Sequence, residues 1–253
     1  MQTEQATRSS FRRLWPFRAL WRSRLDAETN GPPLAAPVAR YLVSSHPSNH
    51  NYRVLNDRLW PTRKLAARYR KQVGYYPSPV TSLVDLSCSK GFYVLSASQQ
   101  PRCERALGID ICDEELAACR AVCDYLGQPR ARFENLRLHQ LAERIDEFGG
   151  PFQTALLFNS YQYLLFGSQR CADGYGSHDE IFRMLRQVCS GRVIFNNRTD
   201  LKDCQRSTQQ SAVHSQCAAD YTAESLLAAA GKHFQVTRHG NVGGYPLWTL
   251  DAK

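Results

Sequence analysis

From residue 82 onward, short apolar runs alternate with segments in which apolar residues recur at helical spacing. Apolar runs of this length predict buried strands, and the spaced segments predict helices that cover them. The alternation predicts an α/β fold with a mostly parallel sheet and helices on both faces. The predicted strands are 82–86, 105–110, 131–138, 152–160, 191–197, 233–240 and 245–252, and the predicted helices are 91–100, 113–127, 139–150, 179–191 and 222–231.

The end of the chain departs from the parallel pattern. Its last two predicted strands are separated only by a glycine-rich turn, so they should pair antiparallel. Two stretches carry no predicted element. The first is a long loop after residue 160 that passes through Gly167, Gly174 and Gly176, and the second is the polar stretch at 198–221.

The N-terminal part of the chain lacks this alternation. Residues 8–25 mix Arg with Phe, Leu and Trp, and Pro16 makes one long regular helix unfavourable. Residues 26–50 have the turn-rich composition of a linker. We therefore predict a basic, flexible arm and linker at 1–50 and a single domain at 51–253.

A further helix is predicted at the start of this domain. Pro61 suits a first helical position, and Leu65, Tyr69 and Gln72 follow at helical spacing. The segment is rich in Lys and Arg, so we expect a basic helix that covers one edge of the domain.

The net charge of +9 is concentrated at the N-terminus. Residues 1–75 hold 14 Lys and Arg against 4 Asp and Glu, whereas residues 76–253 hold 18 against 19. A nearly neutral domain therefore follows a basic extension. Arg pairs with phosphates and Trp suits the headgroup region of a bilayer, so the arm is a candidate for peripheral contact with an anionic membrane. Binding of nucleic acid is a second interpretation of the same charge.

Composition narrows the cellular setting. No stretch approaches the roughly 18 uninterrupted apolar residues that span a bilayer, and Arg residues interrupt the apolar start too often for a signal peptide. The nine cysteines include no CxxC pair, which favours a reduced, cytoplasmic setting. Cys119 and Cys123 lie one helical turn apart, but no nearby His completes a zinc site, so we predict no metal.

Polar and small residues follow the first two strands of the alternation, where a parallel sheet binds ligands. Asp85 ends the first strand, and Ser87, Ser89 and Gly91 follow at alternate positions that let a ligand approach the backbone. A dinucleotide fingerprint requires glycine at the first, third and sixth positions of this loop, and the sixth is Phe92. The nicotinamide and flavin interpretations are therefore poor.

The ends of the next strands carry further candidates. Asp110 ends the second strand, 25 residues after Asp85, where a carboxylate can accept hydrogen bonds from ribose hydroxyls. Asn135 near the end of the third strand could meet an adenine edge, with Ile111 and Leu136 on the two faces of the ring. Asn159, at the end of the fourth strand, faces the same predicted cleft.

These segments resemble the class I methyltransferases that use S-adenosyl-L-methionine (SAM). Residues 84–95 look like the first motif of that family and 106–111 like the second, and the likeness extends over about residues 80–253. The resemblance implies a Rossmann-like sheet with an antiparallel last strand, SAM as cofactor and methylation as activity. Carried over by position, the implied SAM site comprises Asp85, Ser87, Ser89, Gly91, Asp110, Ile111, Asn135, Leu136 and Asn159.

Two departures from the family pattern lie in the loop after the first strand, where Ser87 and Ser89 replace glycines. Serine at the second position is easily accommodated. At Ser87 we expect the β-carbon to crowd the methionine moiety of SAM or to force a strained φ.

The acceptor is less well defined by the sequence. Direct methyl transfer depends on alignment more than on an acid or a base, so no catalytic residue is assigned. Tyr161, Tyr163 and His178 are candidates to line an acceptor pocket. We expect a transferase acting on a small molecule or a saccharide held beneath the segments 160–177 and 198–221. The alternatives are an RNA methyltransferase that uses the basic extension and a non-catalytic relative that binds SAM.

Overall fold

The structure, a computed structural model, describes residues 48–55, 57–213 and 215–253. The predicted arm at 8–25 and nearly all of the predicted linker at 26–50 lie outside the described residues. Within the described part, nine strands and eight α-helices are connected by short turns and 3₁₀ segments.

Seven of these strands form the central sheet, in the spatial order β5-β4-β3-β6-β7-β9-β8. The pairs from β5 to β7 are parallel, and β9 pairs antiparallel with both β7 and β8. The antiparallel terminal pair predicted from the sequence is therefore confirmed. The strands are β1 Tyr52–Leu55, β2 Arg58–Pro61, β3 Ser82–Asp85, β4 Arg105–Asp110, β5 Ala131–Asn135, β6 Phe152–Phe158, β7 Cys189–Asn196, β8 Phe234–Val242 and β9 Tyr245–Ala252.

Helices pack on both faces of this sheet. Because successive side chains of a strand point to opposite faces, Leu83 and Leu156 belong to one buried apolar cluster, whereas Val84 and Leu157 belong to the other. The first cluster includes residues of α1, α2 and α3, and the second includes residues of α4, α5, α6 and α8. The helices are α1 Arg63–Gln72, α2 Phe92–Ser98, α3 Asp113–Tyr125, α4 Leu138–Glu143, α5 Tyr161–Phe166, α6 His178–Val188, α7 Arg206–Ala212 and α8 Ala223–His233.

Helix α1 lies against the ends of strands on the β7 side of the sheet. Its buried Gln72 donates to Asn196 Oδ1 at the end of β7 at 2.9 Å and accepts a hydrogen bond from Tyr93 at 2.6 Å. The prediction that Pro61 opens this helix is wrong. Pro61 instead ends β2, which pairs with β1 in a hairpin, and α1 begins two residues later at Arg63.

Three further differences from the prediction lie beside a cleft, and elsewhere residues 189–191, predicted as the end of a helix, begin β7. The third strand of the alternation, β5, ends at Asn135, so Leu138 opens α4 instead of continuing a strand. The loop predicted after residue 160 begins with the short helix α5, which stops at Gly167, where φ is +80°. The polar stretch before the last helix contains α7. All three segments border this cleft, which lies at the carboxyl ends of the parallel strands.

Candidate active site

A cleft of about 610 Å³ opens at the carboxyl ends of β3, β4 and β6. The sheet order reverses between β3 and β6, because β4 and β5 lie on one side of β3 and the later strands on the other. Ligands of open α/β sheets bind at such a switch point. Six of the nine predicted cofactor residues line the cleft: Ser87, Ser89, Asp110, Ile111, Leu136 and Asn159.

Asp110 organises the loop that follows β3. Its Oδ2 accepts a hydrogen bond from the Ser89 N–H at 2.9 Å, and its Oδ1 accepts from the N–H groups of Ile111 at 2.8 Å and Cys112 at 3.1 Å. Burial raises the pKa of Asp110 from its usual value, and the backbone donors oppose that rise. A carboxylate has about four acceptor positions, so one remains for a ligand hydroxyl in the cleft.

The backbone conformation of the loop after β3 differs from the expectation for Ser87. The positive φ falls on Ser89, at +47°, and not on Ser87. The hydroxyl of Ser87 lies 2.8 Å from that of Ser160, at the start of α5, and so connects the ends of β3 and β6. The expectation of a strained φ at Ser87 is therefore wrong, and the left-handed backbone lies at the serine thought easier to accommodate.

Gly91 is not among the residues that line the cleft. It precedes α2 with φ at +74°, and a β-carbon there would lie 2.8 Å from Phe133 and 2.9 Å from Cys119. The glycine therefore allows the start of α2 to pack closely against Phe133 of β5 and Cys119 of α3.

Asp85 is buried next to the cleft, with 2% of its surface exposed. It lines a separate cavity of about 30 Å³ together with Ser87, Arg68 and Tyr93. Burial, helped by the charge of Asp110 and opposed by the Ser87 N–H, raises the pKa of Asp85 to about 7. Near neutral pH this carboxyl therefore exists in both protonation states.

The predicted adenine contacts divide into two groups. Ile111 and the buried Leu136 both line the cleft, where they could cover a planar ring. Asn135 is exposed and donates a hydrogen bond to Asp113 Oδ1 at 2.7 Å, outside the lining of the cleft. Its side chain therefore joins β5 to the start of α3 in this structure.

Asn159 directly follows β6 and lines the cleft. Its backbone has a positive φ of +54°, and its side-chain oxygen accepts a hydrogen bond from Arg198. The carbonyl of Asn159 accepts from Gln162 at 3.0 Å, and its N–H donates to the Asn196 carbonyl at 2.9 Å. The bonds to Arg198 and Asn196 connect the turn after β6 to the end of β7.

Of the three acceptor-pocket candidates, only Tyr163 lines the cleft. Tyr161 is fully buried and packs against His178 and Phe182. Its hydroxyl lies 2.7 Å from His178 Nδ1, and burial lowers the pKa of that histidine. The expectation that Tyr161 and His178 line the acceptor pocket is therefore wrong.

Sequence reasoning also missed several residues of the cleft wall. His50 lines both the cleft and the small cavity beside Asp85. Arg198 follows β7, and a basic residue directly after a buried strand end was the available signal for it. Helix α7 supplies Ser207, Thr208 and Ser211 to the same wall, but a short polar helix has no apolar period by which to recognise it.

Neither a known protein family nor a curated protein matches the sequence. Solved structures do match the fold. A structure of WbdD superimposes with a TM-score of 0.52 at 15% identity, covering 74% of this chain and 38% of that chain. Another WbdD structure is described as that of a bifunctional kinase-methyltransferase. The present chain spans less than half the length of the WbdD chains that it matches.

Two further structures match over most of their own length. The N-terminal domain of EvdMO1, solved in the presence of SAH and D-fucose, covers 91% of this chain and 93% of its own, with a TM-score of 0.50 at 11% identity. The PH0226 protein from Pyrococcus horikoshii OT3 covers 76% of this chain and 92% of its own, with a TM-score of 0.52 at 14% identity. The chain has a methyltransferase fold.

No described helix is long and apolar enough to cross a membrane. No three His, Cys, Asp or Glu side chains in the described ranges are grouped so that they could hold a metal ion. All nine cysteines lie in the described part of the chain and are free thiols.

Proposed function

We propose that this protein is a SAM-dependent methyltransferase. The observation that carries the proposal is Asp110, whose carboxylate holds the loop after β3 and borders the cleft at the switch point of a methyltransferase fold. A carboxylate in this position can accept a ribose hydroxyl while its remaining oxygens keep the loop in place.

The remaining cofactor contacts follow from the lining of the cleft. The apolar side chains of Ile111 and Leu136 would cover the adenine ring. Asn159 and the loop at Ser87 would border the methionine end, where the nearby Asp85 favours the cationic amino and sulfonium groups. SAM supplies the methyl group, and the protein's part is to hold donor and acceptor in line while the walls of the cleft limit access of water.

We propose a saccharide as the acceptor. The support is the hydroxyl-rich wall formed by Ser207, Thr208 and Ser211 of α7, together with the D-fucose in the EvdMO1 structure. Hydroxyl groups can both donate and accept hydrogen bonds, which suits the many hydroxyls of a sugar. Tyr163 lies on the same wall and adds an aromatic edge.

Calorimetric titration with SAH, the demethylated product of SAM, tests the cofactor assignment. Asp110→Ala should weaken SAH binding by about ten- to a hundredfold, because charge-assisted hydrogen bonds of roughly 1.5–3 kcal/mol are lost. Asp113→Ala is the matched control, since its carboxylate pairs with Asn135 outside the lining of the cleft. It should change the affinity by less than about twofold. Equal affinity of a folded Asp110→Ala protein and the wild type would refute the proposed site.

A further inference from the structure

Arg198 is a buried cation in the wall of the cleft, with 7% of its surface exposed. Its Nη1 donates to Asn159 Oδ1 and its Nη2 donates to the Tyr245 hydroxyl at 2.6 Å. The guanidinium also lies 4.3 Å from the centre of the Tyr245 ring. Its partners in the described structure are therefore neutral groups.

No acidic side chain in the described part of the chain neutralises Arg198. None of the ion pairs among the described residues includes Arg198, and its Nε is buried without a hydrogen-bond partner. A buried guanidinium is strongly unfavourable unless an anion neutralises it. Two of its five N–H groups are used, so three remain, including Nε–H. Such a group can bind a planar or tetrahedral oxyanion with two parallel hydrogen bonds.

The position of Arg198 favours the acceptor over the cofactor as the source of that anion. Arg198 follows β7, which is the second strand from β3 in the sheet. At about 4.8 Å between strands, its backbone lies roughly 10 Å across the sheet from the loop that would hold SAM. The carboxylate of SAM has another cation available, because Arg68 lines the small cavity with Asp85 and Ser87 and Arg198 does not.

A second observation on the same wall also indicates a polar ligand. Thr208 on α7 is 2% exposed, lines the cleft, and its hydroxyl is buried without a hydrogen-bond partner. Buried hydroxyls are normally paired. A ligand that reaches both α7 and Arg198 would provide hydrogen-bond partners for the Thr208 hydroxyl and the Arg198 guanidinium.

We propose that the acceptor is an acidic saccharide, bearing a phosphate or a carboxylate that pairs with Arg198. This rests on the proposed function, since it treats the β7 side of the cleft as the acceptor site. In this arrangement the anionic group fixes the orientation of the sugar, while the hydroxyls of α7 bind its neutral oxygens.

Binding to the SAH-loaded protein tests the proposal, with mannose 6-phosphate, glucuronate and neutral mannose as probes. We expect one of the two charged sugars to bind at least tenfold more tightly than mannose, and the preferred one identifies phosphate or carboxylate. Arg198→Gln should remove at least tenfold of that affinity and change SAH binding by less than about fivefold, because on the cofactor side it loses only the hydrogen bond to Asn159. Arg170→Gln is the control, because Arg170 lies on the cleft rim with 62% of its side chain exposed. It should change sugar affinity by less than threefold.

If Arg198→Gln does not fold, Arg198→Lys replaces it in the test, because lysine keeps the buried charge. It should weaken binding of the charged sugar at least threefold, because an ammonium cannot form two parallel hydrogen bonds. Unchanged affinity in Arg198→Lys, equal binding of mannose, or binding of neither charged sugar would overturn the proposal. So would a tenfold loss of SAH affinity in Arg198→Gln, which would assign the arginine to the cofactor. Failure of the wild type to bind SAH would instead refute the proposed function.

Discussion

Asp85 is a carboxyl whose protonation depends on the fold around it. Its pKa is raised to about 7 by burial, compared with an ordinary value of 3.8. The folded protein therefore holds this proton across a pH range in which the unfolded chain has released it. That difference makes Asp85 a source of pH dependence both for stability and for binding of a cationic cofactor.

Without ligand, the free energy of unfolding should fall as the pH rises from about 4 to about 7. The folded state binds more protons than the unfolded state in this window, so raising the pH favours unfolding. Asp85→Asn should remove that dependence and be more stable than the wild type at pH 8, by roughly 4 kcal/mol at most. Urea unfolding at several pH values measures the difference between the two proteins.

Asp113→Asn is the control for this experiment, since Asp113 is exposed at the start of α3. Parallel stability curves for the wild type and Asp85→Asn would show that Asp85 titrates normally. Binding of SAM should follow the opposite trend and strengthen as the pH rises through about 7, because the ionised carboxylate attracts the cationic cofactor.

At the scale of elements, the side chain of Gln72 connects helix α1 to the sheet by a hydrogen bond. Gln72 is buried and connects Tyr93 on α2 to Asn196 on β7 through its two amide atoms. Gln72→Ala would leave a buried hydroxyl and a buried amide oxygen with one partner fewer, so it should lower the free energy of unfolding by about 2–4 kcal/mol. Arg70→Ala on the exposed face of α1 should change it by less than about 0.5 kcal/mol.

Urea unfolding of both α1 variants gives the comparison. Equal stability of Gln72→Ala and Arg70→Ala would show that α1 is held by its apolar contacts alone. Loss of SAH affinity in Gln72→Ala beyond its loss of stability would show that α1 also shapes the cavity beside Asp85, which Gln72 lines.

The elements that could be predicted from the sequence are those with a repeated apolar period. Helix α3 has buried Leu116, Cys119 and Cys123 on one face and ends before Gly127, whose φ is +57°. Helices α5 and α7 have only six and seven residues. Each is shorter than two helical turns, so its sequence is too short to show a helical period. Leu136 and Leu138 are spaced as in a strand, but they are out of phase with the buried Ala131 and Phe133, because β5 ends at Asn135 and α4 begins at Leu138.

The residues of the candidate site likewise divide into those that could be predicted from the sequence and those that could not. Asp110 and the serines of the first loop could be predicted, because topology alone brings the ends of adjacent parallel strands together. Asn135 could not, because its partner Asp113 belongs to another element. Arg198 could not either, since its role depends on burial and on neighbours that lie 39 and 47 residues away in the chain.

At the scale of the whole molecule, the excess positive charge and the proposed site belong to different parts of the sequence. Residues 1–40 contain seven Arg against three acidic residues, whereas the residues proposed to bind SAM lie between 85 and 159. Deleting residues 1–40 should therefore leave SAH affinity within about twofold of the full chain. Any binding of the full chain to phosphatidylserine vesicles should weaken with added salt and be lost on deletion.

Calorimetry and vesicle sedimentation of the two chains test these expectations. A tenfold loss of SAH affinity on deletion would make the arm part of the cofactor site. Salt-sensitive binding of RNA by the full chain and not by the deletion variant would support the alternative that the extension serves nucleic acid.

The cleft is assembled from two stretches that are nearly separate along the chain. Its proposed cofactor side is formed mainly by residues 86–138 together with Asn159, and its proposed acceptor side mainly by residues 160–211 together with Tyr245. Insertions and exchanges between α5 and α7 could therefore alter the acceptor while the SAM-binding half keeps its sequence. Such a division allows an ancestral gene to acquire new substrates by recombination within one segment. It also gives the protein engineer a defined cassette in which to redirect methylation.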